Sequence, residues 1–408
     1  MSRVRRTSLS RRRVRRAALV GTAVLAASLA ACSGGSAGSG KAELKEKKDP
    51  MAIAVNLTGE QAKAGGPVKV NLTAGSKLSQ VTVKDAKGGE LTGRIAADGK
   101  TWTSERNASP GTSYTVAAKD TEGGAADARF ATAAADKVNK ISIQPGKGRT
   151  MGIAQPISLV FDNPVKNRAE VEKHLKVTTS NDTEGSWGWF KDRSGMDRVD
   201  WRPKEYWKPG TEVKLSMSLN GVDSGTGGGY FVRDYDTAFT IGKDQRVEVD
   251  LDSKRLVLTR DGKQVLDVPV AAGTPGGQKA SWDGKLVVMG KEGTIRMNSQ
   301  SVGLGDAYDK MVDYSVRLTD SGMYAHAAPW NEGNFGRVNN SSGCVGMSTA
   351  NASKFFAEIQ SGDPFEVTGS GSKGNPDLGN GFSEWNLSWE QWQAKSALTG
   401  QGGSGKTA

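Results

Sequence analysis

Hydrophobic and polar positions alternate with period two over most of the chain between residues 51 and 240. In "VKVNLTA", Val68, Val70 and Leu72 alternate with Lys69, Asn71 and Thr73. In "VKLSMSL", Val213, Leu215, Met217 and Leu219 stand on one face. Runs of this kind, bounded by Gly, Asp, Asn and Pro clusters, predict half-buried strands. A weak repeat is superimposed on them. Trp102 is followed eight residues later by "PGTSYTV" from Pro110, and Trp201 eight residues later by "PGTEVKL" from Pro209. The offset of 99 residues is about the length of an immunoglobulin-like sandwich, with each Trp filling a core between sheets. His174, in the short helical stretch "AEVEKHLK", reads as a surface histidine.

The pattern changes near residue 243. "QRVEVDL" and "KRLVLTRDGKQVLDVPVAAG" predict consecutive strands with a hairpin at Asp261-Gly262, two residues that tolerate positive φ. "STANASKFFAEIQSG" predicts a helix capped by Ser348, with Ala352, Phe355, Phe356 and Ile359 on its inner face. "PFEVTG" predicts a last strand. In "SEWNLSWEQWQAK", Ser388 and Gln391 have capping-box spacing, and Trp385, Trp389 and Trp392 form an apolar group that requires a docking surface. The expectation is a mainly β protein: two immunoglobulin-like sandwiches (51–138 and 139–242), a β-rich third domain (243–370), a docking tail (371–398) and a disordered end (399–408).

The first 31 residues do not fit this scheme. Residues 1–16 hold eight arginines and no acid, and "AALVGTAVLAASLAA" follows. This is the pattern of an export signal, too short for a comfortable membrane span. "LAAC", ending at Cys32, resembles the lipobox of bacterial lipoproteins, in which the cysteine is lipidated. "CSGGSAGSG" then reads as a flexible tether over 32–50. The expected location is the extracytoplasmic face of the cell membrane, held by lipid at Cys32.

Charge follows from this reading. The whole chain carries +11, but loss of residues 1–31 lowers the basic residues from 55 to 47 against 44 acids. The remaining +3 gives little support for nucleic-acid binding. Two histidines and two cysteines are too few for a His/Cys metal site, and no cofactor motif is evident.

If Cys32 carries lipid, Cys344 is the only free thiol. It lies in "HAAPWNEGNFGRVNNSSGCVG", which begins at His326. A thiol of ordinary pKa is only a few per cent thiolate at neutral pH, so acyl transfer needs a neighbouring base. His326 is the candidate, eighteen positions upstream with a Gly- and Asn-rich segment between. The small residues of "SSGC" let backbone N–H groups converge, as an oxyanion hole requires. On spacing alone, a buried inert cysteine fits as well.

"MYAHAAPW…SSGCVGM" resembles the signature of the L,D-transpeptidases, whose YkuD-like catalytic domain remodels bacterial peptidoglycan. The resemblance covers about residues 243–370. The tandem immunoglobulin-like domains and the Trp-rich tail resemble the lipid-anchored actinobacterial members. It implies Cys344 as nucleophile and His326 as base, with His326 held by the backbone carbonyl of Ala327. It implies an oxyanion hole from the N–H groups of Gly343 and Cys344, with Ser342, and a substrate groove bordered by Tyr324, Trp330 and Ser341. The implied partners are peptidoglycan stem peptides and carbapenem-type inhibitors. The implied reaction is a 3→3 cross-link made from tetrapeptide stems through a cysteine acyl-enzyme. Hydrolysis of that intermediate would instead make an L,D-carboxypeptidase.

Two departures stand out: Ser342 occupies the place of the family's second histidine, and Gly346 that of its usual asparagine. They are the best support for a non-catalytic wall-binding lipoprotein. The stretch "MNSQSVGLG" also lacks an aromatic that some relatives place there, which implies a different lid. A papain-like peptidase fits less well, because there the cysteine precedes the histidine.

Overall fold

The alternating segments of the first half form two pairs of four-stranded sheets. A computed structural model of the chain describes residues 50–306 and 308–399. Cys32, the export signal, nearly all of the tether and residues 400–408 lie outside the described residues. In the first pair, one sheet holds Ala52–Val55, Pro67–Ala74, Gly93–Ile95 and Thr101–Asn107. The other holds Leu78–Asp85, Glu90–Leu91, Ser113–Asp120 and Ala125–Ala131. Val68, Val70, Trp102, Tyr114, Val116 and Phe130 fill the core.

The second pair, from Ile141 to Ile241, repeats the plan with a larger aromatic core containing Trp187, Trp189, Trp201, Trp207 and Phe239. The repeat visible in the sequence has a structural counterpart. Trp102 and Trp201 each lie on a strand of one sheet, and each Pro-Gly-Thr turn carries the chain to a strand of the other. Each indole also lies against a glycine on the neighbouring strand. A Cβ on Gly93 would meet Trp102 at 2.3 Å, and one on Gly185 would meet Trp201 at 2.0 Å. His174 is half-buried at the C-terminal end of the helix Arg168–Lys173, 3.3 Å from Glu170, rather than freely exposed.

The third region pairs a five-stranded sheet with a four-stranded one. The strand Gln245–Asp250 is antiparallel to Arg255–Arg260 and parallel to Pro364–Thr368. Asp261 and Gly262 turn the following hairpin with φ of 50° and 75°. The second sheet runs Gly290–Asn298, Asp309–Arg317, Tyr324–Ala327 and Val345–Met347. Between the sheets lies the helix Thr349–Glu358, whose N-cap Ser348 accepts the Asn351 N–H. Its Ala352 and Phe355 are buried, Ile359 follows at its C-cap, and Phe356 packs at the margin. These contacts hold the four-stranded sheet in place.

The tail docks on the second sandwich. Trp392 is fully buried, and its indole N–H donates to the Ser186 carbonyl at 2.9 Å. Trp385 donates to the Ala154 carbonyl at 2.9 Å. The Arg202 guanidinium lies 4.7, 5.4 and 5.5 Å from the rings of Trp385, Trp389 and Trp392. One cation therefore organises all three indoles through their electron-rich faces. Gly188 makes the approach possible, since a Cβ there would lie 2.6 Å from the Trp392 ring. Ser388 and Gln391 form the expected capping box.

Candidate active site

His326 and Cys344 meet because two short strands run parallel. Tyr324–Ala327 pairs with Val345–Met347 in the register Ala325↔Val345, His326↔Gly346 and Ala327↔Met347. Directly opposed residues project to the same face, and side chains alternate along each strand. His326, Gly346 and Cys344, two positions before Gly346, thus address one face. Both side chains line a cavity of about 260 Å³, together with Trp330, Tyr308, Lys310 and Ser342.

The eighteen-position gap is taken up by a loop braced with asparagines. Asn331 bonds to Asn334 and Asn340 through side-chain amides at 2.8–2.9 Å. Asn339 donates to the Leu251 carbonyl at 2.7 Å and accepts the Ala272 N–H at 3.0 Å.

The imidazole is buried, and its Nδ1 lies 2.7 Å from the Ala327 carbonyl oxygen. A carbonyl only accepts, so Nδ1 carries the proton and Nε2 keeps its lone pair. Burial lowers the pKa of His326 and outweighs the bond to Ala327. The Trp330 ring lies 5.9 Å away, centroid to centroid, with Lys310 Nζ 4.3 Å from the indole on its own account.

Cys344 is partly exposed to the cavity but enclosed by protein elsewhere. Burial pushes its thiol up to about 11, against smaller opposing effects of the Tyr324 N–H and the Lys373 charge. The thiol points its hydrogen bond at the Gly322 carbonyl, 3.7 Å away. Burial thus favours the uncharged form of both groups, the thiol and the imidazole.

The turn before Cys344 is held by Ser341. Its backbone N–H donates to the Ala272 carbonyl at 2.9 Å. Its hydroxyl accepts the Gly343 N–H at 3.1 Å and donates to the Cys344 carbonyl at 2.6 Å. Gly343 has φ of 117°, a conformation a larger residue adopts only with strain. The Ser341 hydroxyl, expected at the substrate groove, is thus engaged within the turn, although the residue still lines the cavity. The Gly343 N–H, expected in an oxyanion hole, is bound to that hydroxyl in the resting structure. Ser342 lines this cavity and also a second one that adjoins it past Gly343.

Tyr324 departs from expectation more clearly. Its side chain is buried away from the cavity, its hydroxyl donates to Glu292 at 3.1 Å, and Arg317 lies 4.8 Å from its ring. The position next to His326 in parity put it on the same strand face, but Glu292 and Arg317 draw the ring aside. Its backbone N–H, directed at the sulfur, is what it brings to the site.

Tyr308 and Lys310 were not singled out from the sequence. They line the cavity with Val312, at alternate positions along and just before the strand Asp309–Arg317. Period-two alternation in "YDKMV" was the available signal. Tyr308 supplies an aromatic that "MNSQSVGLG" itself lacks. Gly346 also has a packing reason: a Cβ there would lie 3.0 Å from the Ala328 methyl and 3.9 Å from Phe335, so a larger residue forces Ala328 to move.

Similarity to known proteins agrees with this geometry. Residues 244–367 match the L,D-transpeptidase catalytic domain family, and residues 59–223 the bacterial Ig domain family. L,D-transpeptidase 2 of Mycobacterium tuberculosis (strain CDC 1551 / Oshkosh) is 31% identical over 406 residues, covering 95% of this chain and 97% of the relative. The chain belongs to the L,D-transpeptidase family. L,D-transpeptidase 5 of Mycobacterium tuberculosis (strain ATCC 25618 / H37Rv) is 30% identical over 365 residues, 87% of this chain and 80% of that protein. A solved structure of the L,D-transpeptidase LdtMt1 in complex with imipenem is 28% identical, spans 57% of this chain and 100% of its own, and has a TM-score of 0.48. The mainly β chain carries the two matched regions in this order, bacterial Ig domain first and L,D-transpeptidase catalytic domain second.

Proposed function

We propose that this L,D-transpeptidase forms 3→3 cross-links between peptidoglycan stems, with Cys344 as nucleophile and His326 as general base. The observation that carries the reading is the parallel register that sets thiol and imidazole on one strand face above one cavity. Cys344 Sγ attacks the carbonyl of the third residue of a tetrapeptide stem, and its proton passes to His326 Nε2. The tetrahedral intermediate collapses with loss of the terminal D-Ala, whose amine takes that proton. The product is a thioester. The side-chain amine of another stem's third residue then attacks, gives a proton to Nε2 and displaces the sulfur, which is reprotonated. Starting from a neutral pair keeps charge separation for the attack itself, when the site holds substrate and little water. Backbone N–H groups of Ser342, Gly343 and Cys344 serve the developing oxyanion. The Gly343 N–H does so by leaving Ser341 Oγ.

Trp330, half exposed beside His326, forms a wall for the stem. If water replaces the acceptor amine, the same site acts as an L,D-carboxypeptidase. The test is to incubate purified protein with disaccharide-tetrapeptide and analyse products by mass spectrometry. A dimer lacking one D-Ala is expected from wild type and none from Cys344→Ala. Tripeptide without dimer would assign the carboxypeptidase reaction. Unchanged substrate with both proteins would leave a wall-binding module.

The reading includes a membrane anchor. Leu29-Ala30-Ala31-Cys32 directs lipidation of Cys32, and the two Ig-like domains carry the catalytic region away from the membrane. Metabolic labelling with a palmitate analogue should mark the wild-type chain and not Cys32→Ala.

A further inference from the structure

A second cavity, about 370 Å³, adjoins the first, lined by neighbours of Cys344 but not by Cys344 itself. It shares Tyr308 and Ser342 with the first and continues past Gly343 and Gly322, the residues that flank the thiol. Its distal wall holds Arg193, Trp282 and Lys373, and no Asp or Glu lines it.

The two cations come from opposite parts of the chain. Arg193 sits at the tip of the hairpin between Gly185–Lys191 and Asp197–Pro203, in the second Ig-like domain. Asp192 Oδ1 braces that tip by accepting the N–H groups of Ser194 and Met196, both at 2.9 Å. The Arg193 N–H donates to the Gly379 carbonyl at 3.2 Å, and Arg198, close to the same tip, donates to the Gly381 carbonyl at 3.1 Å. The hairpin is therefore fastened to the segment that follows the catalytic sheet. Lys373 lies in that same segment, with Nζ 4.6 Å from the Trp282 ring centroid. Neither cation has an ion-pair partner among the described residues. Desolvation by the surrounding protein, with Arg193 nearby, disfavours the charge on Lys373, while negative charge on Cys344 favours it. Like charges held together around an open cleft are stabilised by an anion bound between them.

We infer that this cavity binds the C-terminal carboxylate of a stem peptide through Arg193 and Lys373, so that the second Ig-like domain contributes a substrate-binding residue to the active site. The inference rests on the transpeptidase reading for the identity of the peptide. A stem presents such a carboxylate in two roles. In the donor it belongs to the terminal D-Ala that leaves, bonded next to the carbonyl that Cys344 attacks. In the acceptor it belongs to the stem whose side-chain amine attacks the thioester. Trp282, stacked under Lys373, holds the ammonium in place and gives the peptide an apolar floor.

The test uses binding, which does not depend on turnover. Tetrapeptide stem with a free C-terminal carboxylate and its carboxamide are titrated calorimetrically into the full exported chain carrying Cys344→Ala. The acid should bind about tenfold more tightly than the amide, as expected for charge-assisted hydrogen bonds. The preference should fall away when Arg193→Gln and Lys373→Gln are added, with affinity for the amide unchanged. Both side chains are exposed, so thermal melts of these variants should match the parent. Equal affinities for acid and amide, or a preference that survives both substitutions, would overturn the inference. Whether the wild type makes dimer is read separately, so the two proposals fail independently. In the transfer reaction, a rise in donor KM in the double variant assigns the carboxylate to the leaving residue. A rise in acceptor KM assigns it to the second stem.

Discussion

His326 Nδ1 is bound to the carbonyl of Ala327, the next residue in the chain, at 2.7 Å. A backbone acceptor one residue away fixes the tautomer without any acidic side chain, and it leaves Nε2 free toward the cavity that Cys344 also lines. If Nε2 is the base, His326→Gln keeps much of the packing and loses the proton acceptor. It should lower kcat/KM for transfer by roughly 10²–10⁴-fold. The thermal midpoint should change little, which separates loss of chemistry from loss of fold.

The pH dependence follows from burial. Burial lowers the pKa of His326 below its ordinary 6.5, so the imidazole stays neutral and competent into mildly acidic solution. The acid limb of kcat/KM against pH should fall below 6.5. Burial also pushes the Cys344 thiol up to about 11. In the free enzyme, alkylation by iodoacetamide should go on rising about tenfold per pH unit from pH 9 to 10, where an ordinary thiol, half ionised at 9.0, is levelling off.

Tyr308 and Cys344 line the same cavity, and the phenol is itself raised by burial and by the sulfur's charge. Removing the ring admits water to the sulfur and relieves its desolvation. Tyr308→Ala should therefore bring the alkylation midpoint of Cys344 down from about 11 toward its ordinary 9.0. A pH titration of alkylation rate measures the shift.

The tail carries a separate pH effect. Glu384 is buried, its carboxyl oxygens have no side-chain hydrogen-bond partner, and burial with the nearby Asp200 raises it to about 8 from an ordinary 4.5. Between these pH values the unfolded chain releases a proton that the folded chain retains, so stability falls as pH rises. Glu384→Gln removes that loss. Its gain in thermal midpoint should be larger at pH 8 than at pH 5, by on the order of a few degrees.

Docking of the tail depends on a missing side chain. Gly188→Val places atoms where the Trp392 ring lies, within 2.6 Å even at Cβ. Overpacking of this kind costs about 1–3 kcal/mol. The thermal midpoint should drop, and tryptophan emission should shift to the red as Trp392 leaves its pocket.

Strands, hairpin and caps were legible because each is set by neighbours in the chain. Val68/Val70 and Val213/Leu215 alternate, Asp261-Gly262 tolerates positive φ, and Ser348 and Ser388 sit ahead of amphipathic turns. The Trp102 and Trp201 repeat was readable because its spacing is local to each sandwich. His326 and Cys344 stood out through chemistry and scarcity, and through resemblance to a family motif. What the sequence did not disclose depends on distant residues. Tyr324 turns from the cavity because Glu292 and Arg317 capture it. Ser341 closes on its own turn. Tyr308 reaches the sulfur only because its strand pairs beside Tyr324–Ala327, and Arg193 arrives from a hairpin some 150 positions upstream of Cys344.

Acyl transfer through Cys344 requires a thioester, and trapping that thioester is the decisive measurement. Wild-type protein is mixed with tetrapeptide stem, quenched in acid within a turnover, digested and mapped by mass spectrometry. A stem acyl group, lacking the terminal D-Ala, is expected on the peptide containing Cys344. Cys344→Ala should carry no adduct and form no dimer. Dimer formation by Cys344→Ala, or an acyl group mapped to any residue other than Cys344, would contradict acyl transfer through Cys344.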